Sequence, residues 1–147
     1  MLNIIEHAWR WTGLVATEII DQNPFGNVIV RAVDERIWRI CPEELDCSVI
    51  ANDSIEYSEL RATAEFREDW EMVALVELAT RKFGGLPAER CFCLKIPAMF
   101  GGQYDENNIG TITRTELLSF AGATAEQIKD YPDGSRLPVT VKWPAPN

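Results

Sequence analysis

The sequence predicts an α+β fold: a single domain over residues 1–147, with a mainly antiparallel sheet of about five or six strands and three helices packed against it. Three observations predict this. Short strand-like runs are joined by turns of hairpin length. Only three stretches carry the apolar spacing of a helix. Strands and helices do not alternate regularly, which disfavours a doubly wound sheet. With 147 residues, 46% of them hydrophobic, the chain is long enough to bury a sizeable core, roughly 70% of the surface it exposes when unfolded.

Ile4, Ile5, Ala8, Trp9 and Trp11 predict a short amphipathic helix ending near Thr12-Gly13. Asn23-Pro24-Phe25-Gly26-Asn27 is a turn cluster. Val28–Val33, the tight turn Asp34-Glu35 and Arg36–Ile40 read as a β-hairpin, with Arg36, Trp38 and Ile40 on one face because side chains alternate. Pro42 in Cys41-Pro42-Glu43-Glu44 stops that strand, since proline cannot donate to a ladder. Cys47–Ala51 is a third strand, and Ser54–Leu60 a short helix or irregular segment.

The longest helix is expected over Glu65–Phe83. Trp70, Val73, Val76, Thr80 and Phe83 form its stripe, widened by Met72, Leu75 and Ala79. Glu65, Glu68, Asp69 and Glu71 crowd its first turns, where the helix dipole favours negative charge, and Gly84-Gly85 ends it. Arg90–Ile96 is a strand closed by Pro97. Gly101-Gly102 marks a sharp loop, and Asp105, Asn107 and Asn108 suit a side-chain-bonded turn. Ile109–Thr113 is a short strand, after which Thr113-x-x-Glu116 is a capping box. It opens a helix whose inner stripe is Leu117, Phe120/Ala121, Ala125 and Ile128. Tyr131–Gly134 is a turn, Leu137–Trp143 a last strand, and residues 143–147 a fraying tail.

The net charge of −9 is uneven. Residues 1–73 carry all of it, and residues 74–147 balance. Glu43–Glu71 alone holds ten acids against Arg61 and Arg67. Nucleic-acid binders are basic, so direct DNA or RNA binding is disfavoured. A concentrated acidic face suits a basic protein partner, whose approach it accelerates; the bland alternative is a solvated surface that keeps the chain soluble. No apolar run reaches the length of a membrane span, and MLNIIEHAWRW lacks a basic leader. The expected compartment is therefore the cytoplasm.

Cys41, Cys47, Cys91 and Cys93 sit in apolar strand-like segments and read as buried thiols. Cys91-x-Cys93 has the wrong gap for a zinc knuckle, and His7 is the only histidine. Asp105-x-Asn107-x-Ile109-Gly110-x-Ile112-x-x-x-Glu116 partly matches a calcium loop, but Ile109 stands where an oxygen ligand is required, so a turn followed by a helix cap is the better reading. Nucleotide-binding glycine loops, HExxH and GxSxG are absent, and a Ser–His–Asp or Cys–His pair has only His7 to use. No enzyme, metal or cofactor is expected.

Phe25-Gly26-Asn27, Trp38–Glu44, Gly101-Gly102-Gln103-Tyr104 with Asn108-Ile109, Glu116–Gly122, and Ala125–Asp130 running into Pro132-Asp133-Gly134 together span most of the chain. In these blocks the chain resembles a bacterial domain-of-unknown-function family that includes the C-terminal domain of type VI secretion DNase immunity proteins. The upstream domain that many such proteins carry is missing from these residues, so the chain reads as a stand-alone member. The resemblance implies a cytoplasmic immunity protein that binds a cognate secreted toxin, a nuclease, and neutralises it.

Combined with the charge, this gives Asp53, Glu56, Glu59, Glu65, Glu68 and Asp69 as candidate contacts for a basic toxin. The alternative is a small-molecule or regulatory module built on Gly101, Gly102, Tyr104 and Asn108 of the Gly-Gly-Gln-Tyr region. The acidic face predicts binding that responds to charge reversal. The loop predicts thermal shifts with nucleotides or metabolites.

Overall fold

The computed structural model describes residues 1–132 and 134. The predicted last strand at 137–143 and the tail at 143–147 lie outside the described residues, as does Asp133 of the predicted turn. The α+β class and the antiparallel pairing hold, with the strands divided between two sheets and five α-helices among the described residues.

Helix α1 (Leu2–Trp9) runs into a 3-10 turn, Arg10–Thr12, closed at Gly13 as the sequence predicts. Strands β1 (Ala16–Gln22), β2 (Val28–Ala32), β3 (Ile37–Cys41) and β4 (Asp46–Ala51) form an antiparallel meander in that order. The predicted hairpin is β2–β3, with Val30 opposite Trp38 and Val28 opposite Ile40. Its turn is closed by Asp34 Oδ1, which accepts from the Arg36 backbone N–H at 3.2 Å. Strand β1 is absent from the prediction. It is an edge strand whose pairing with β2 is interrupted by two register shifts, so Thr17, Glu18 and Asp21 break the alternation that would have signalled it.

Both faces of β2 and β3 are covered, which explains their continuous apolar runs. Val28, Val30, Trp38 and Ile40 pack with Ile5 and Trp9 of α1 and with Leu118 and Ala121 of α5 (Arg114–Ile128). Ile29 and Ile37 face the other way, with Ala51, against Tyr57 of α2 (Ser54–Arg61) and Phe66 and Trp70 of α3 (Ala64–Glu71).

The single helix expected over Glu65–Phe83 is two helices. Met72 sits at φ 47°, ψ 42°, separating α3 from α4 (Val73–Phe83). The chain changes direction there, so residues before and after it no longer share a stripe. Trp70 is buried, Val73 is exposed, and Leu75 and Ala79 bury the inner side of α4. The break is held from outside the helices, where the buried Asn23 donates its Nδ2–H to the Trp70 carbonyl at 3.0 Å. The longest described helix is instead α5, at fifteen residues.

Strands β5 (Arg90–Leu94) and β6 (Ile109–Thr113) form the second sheet. Thr113 caps α5 as predicted: its Oγ1 accepts from the Glu116 N–H at 3.3 Å and donates to Glu116 Oε2 at 2.6 Å. Of the inner stripe, Leu117, Ala121 and Ala125 are buried, while Phe120 is exposed. Gly122 takes an inner place instead. A Cβ there would lie 2.5 Å from the Ala8 carbonyl oxygen, so the lack of a side chain lets α1 and α5 meet backbone to backbone.

Candidate functional site

A cleft of about 710 Å3 opens where the ends of β3 and β4 meet α3 and the loop carrying Tyr104. Its floor is a polar network. Asn27 Nδ2 donates to both carboxylate oxygens of Glu43, at 3.1 and 2.8 Å. Arg39 donates from Nε and Nη2 to Asn27 Oδ1, at 3.1 and 2.9 Å, and its Nη1 pairs with Asp69. The guanidinium also lies over the Trp70 ring, 5.3 Å from its centre. Asn27, Arg39 and Glu43 all belong to the blocks that carried the family resemblance. Asn27 lies 12 residues before Arg39 and 16 before Glu43, and the meander brings them together.

The wall opposite is the loop between β5 and β6. Gly101 closes the 3-10 turn Ala98–Phe100. A Cβ on Gly102 would lie 1.7 Å from the Ile96 carbonyl oxygen, so only glycine permits this approach. Asn108 ties the loop shut: Nδ2 donates to the carbonyls of Ile96 and Gln103, each at 2.9 Å, and Oδ1 accepts from Ile96 N–H at 2.9 Å. Tyr104 then reaches across the cleft, and its hydroxyl donates to Glu44. Burial and that bond raise the phenol pKa. Asn108→Ala removes three neutral hydrogen bonds and is expected to lower stability by about 2 kcal/mol. Chemical denaturation measures this, and a loss below about 0.5 kcal/mol would contradict the clamp.

Glu43 corrects the expected acidic face. It heads the run Glu43–Glu71, yet it is buried, 6% exposed. Desolvation raises its pKa, against the lowering effects of its bonds to Cys41 and Asn27 and of the nearby Arg39. In the unfolded chain its ordinary value is 4.5, so the unfolded state loses this proton first as pH rises. The associated stability is complete below about pH 4.5 and is lost as pH climbs through the raised folded value. Glu43→Gln does not titrate. The stability of the native protein minus that of Glu43→Gln should therefore be larger at pH 4.5 than at pH 7.5. Thermal melts of both proteins test this; a difference that does not change with pH contradicts it.

The six candidate acids are all exposed, on or beside the two helices that cover one face of the four-stranded sheet. Asp53 caps α2, accepting from Glu56 N–H at 2.8 Å, and Glu56 accepts from Asn52 Nδ2 at 3.1 Å. Glu59 lies on α2, and Glu65, Glu68 and Asp69 on α3. Only Glu68 and Asp69 reach the cleft. Arg39 counters part of the charge at Asp69, and Arg61 of α2 pairs with Asp21 of β1 at 2.9 Å. Sequence reasoning did not assign Arg39, Glu44, Asp46 or Met99 to a site. Glu44 and Arg39 stood in the Trp38–Glu44 block, which was the available signal.

The remaining sequence candidates are engaged elsewhere. His7 is exposed on α1 and does not line the cleft. Asp105 Oδ1 accepts from the N–H groups of Asn107 and Asn108, at 3.0 and 3.2 Å, while Ile109 is fully buried, so the partial calcium-loop match is built as a turn. Burial pushes the thiols of Cys47, Cys91 and Cys93 up to about 12 and raises Cys41 further, which keeps them protonated. No helix among the described residues is long and apolar enough to cross a membrane.

Comparison with known proteins adds two likenesses. The chain resembles the crystal structure of Atu4351 from Agrobacterium tumefaciens, with a TM-score of 0.56 and 13% identity, over 83% of this chain. At that identity the likeness concerns the fold, and this chain spans 62% of the length of that protein. No curated protein matches. A family model matches from the last residue of β4 into α5, covering Glu68, Asp69, Met72, Met99 and Tyr104 of the cleft. Residues 51–123 of this chain thus match the model of the family described as T6SS immunity protein Tdi1, C-terminal.

Proposed function

We propose that this chain is a cytoplasmic immunity protein that binds a cognate toxin of a type VI secretion system and neutralises it by occlusion, without chemistry of its own. The observation that carries the reading is the family match over residues 51–123. The acidic helices α2 and α3 support a basic partner. A nuclease fits, because a surface that grips phosphates is positive and a carboxylate-rich protein competes for it. Co-expression with a type VI effector encoded beside this gene tests the proposal. Cells producing both proteins should survive and the two should co-purify. Death of those cells despite soluble expression of this chain would refute it.

A second reading has one observation in its favour. The cleft volume of about 710 Å3 falls in the range of small-molecule sites, and Tyr104 of the Gly-Gly-Gln-Tyr loop lines it. A regulatory ligand there should raise the melting temperature in a screen of nucleotides and metabolites. Uniformly flat responses would remove this reading.

A further inference from the structure

The acidic cleft does not end at α3. A second groove of about 360 Å3 runs along the start of α4 and shares Glu68, Met72 and Tyr104 with the first. They join at the break between α3 and α4, where Met72, in the left-handed conformation, lines both. The two halves differ in chemistry. The second groove is lined by Met72, Val73, Ala74, Leu75 and Leu78 besides the shared Glu68 and Tyr104. Val73 is 55% exposed, Tyr104 45%, and Met99 at the border 50%. The first is lined by five carboxylates against the single guanidinium of Arg39, which Asp69 and Asn27 already hold. Among the described residues, Glu44 and Asp46 have only the hydroxyls of Tyr104 and Ser48, and Glu68 has no cationic partner.

We infer that this double groove is the docking site for one segment of a protein partner in which a basic side chain stands next to an apolar one. On the reading proposed above, that partner is the toxin. The charge selects the occupant. A lysine or arginine entering beside Glu44, Asp46 and Glu68 gains charge-assisted hydrogen bonds that these carboxylates now lack. A phosphate, a nucleic acid or an anionic lipid surface is repelled. The neighbouring apolar side chain covers Val73 and the two methionines, whose flexible thioethers adapt to its shape. Loss of these contacts acts after encounter, so it appears in the dissociation rate.

The experiment uses the full chain with methyl-13C methionine. Of its three methionines, Met72 and Met99 line the groove, whereas Met1 packs against the core under α1 and α5 and serves as the internal reference. Adding the adjacent-gene effector should shift Met72 and Met99 and leave Met1 in place. Asp46→Lys with Glu68→Lys should raise the dissociation rate at least tenfold. Glu59→Lys with Glu65→Lys, the same change in net charge, should leave it within threefold. An effector that binds without moving Met72 and Met99, or that dissociates equally fast from both variants, overturns the groove and leaves neutralisation standing. If the effector does not bind, the neutralisation reading fails. An alternating leucine–arginine octapeptide then decides: shifts at Met72 and Met99 that vanish in Asp46→Lys/Glu68→Lys sustain the groove, and unmoved signals overturn it.

Discussion

Trp9→Ala is expected to lower the stability of the protein by about 3–5 kcal/mol, the usual loss for deleting a large buried aromatic side chain. Trp9 is fully buried between α1, α5 and the sheet. Its indole N–H donates to the Leu118 carbonyl at 3.0 Å, and its ring stacks on Trp11 with centres 6.3 Å apart. Helix α1 has only eight residues, too few to persist without such packing. Removing the ring therefore releases the helix as well as opening a cavity. Trp9→Phe keeps most of the packing and loses the hydrogen bond, so it should cost about 1–2 kcal/mol. Equilibrium denaturation with urea measures both. A loss under 1 kcal/mol for Trp9→Ala would show that α1 is dispensable. The cleft lies on the other side of the sheet from Trp9, so whatever fraction of Trp9→Ala stays folded should bind its partner with native affinity.

That separation between scaffold and site also explains what the sequence revealed. Elements whose signals are local were legible. The β2–β3 hairpin has its turn residues and alternation, α1 has its stripe, and α5 has Thr113 and Glu116 at its start. Strand β1 failed because its cues are not local: two register shifts and an exposed edge scramble the alternation, and only pairing with β2 makes it a strand. The break at Met72 failed for a similar reason. The apolar spacing runs straight through it, while the group that stabilises it, the Asn23 side chain, is 47 residues away from Trp70. The division of strands into two sheets depends on which edges meet, and no stretch of sequence states that.

The candidate site divides the same way. Its residues were visible as blocks, but their meeting was not. Tyr104 and Glu44 are 60 positions apart and bond across the cleft. Counting carboxylates placed Glu43 on the acidic face, although Asn27 and Cys41 hold it inside. Charge counts register composition and miss burial. Within the run the correction is confined to that buried residue, since Asp53, Glu56, Glu59, Glu65, Glu68 and Asp69 do reach solvent.

Solvent-exposed carboxylates outside the cleft should act on approach, not on the bound state. Reversing Glu56, Glu59 and Glu65 to lysine changes the charge of α2 and α3 by six units without touching the groove. In water each of these groups interacts weakly with any single partner charge, and pairs at a surface contribute at most about 1 kcal/mol. Their summed field is another matter. It extends roughly 10 Å at 0.1 M salt and orients a basic partner before contact. The triple variant should therefore associate with the proposed toxin partner about tenfold more slowly at low salt, with its dissociation rate nearly unchanged. Raising the salt should slow the native protein and leave the variant almost unaffected, so that the two rates converge. Stopped-flow association across a salt series checks this. If the triple variant associates as fast as the native protein at low salt, Glu56, Glu59 and Glu65 serve solubility alone, and recognition must rest on the groove beside Met72.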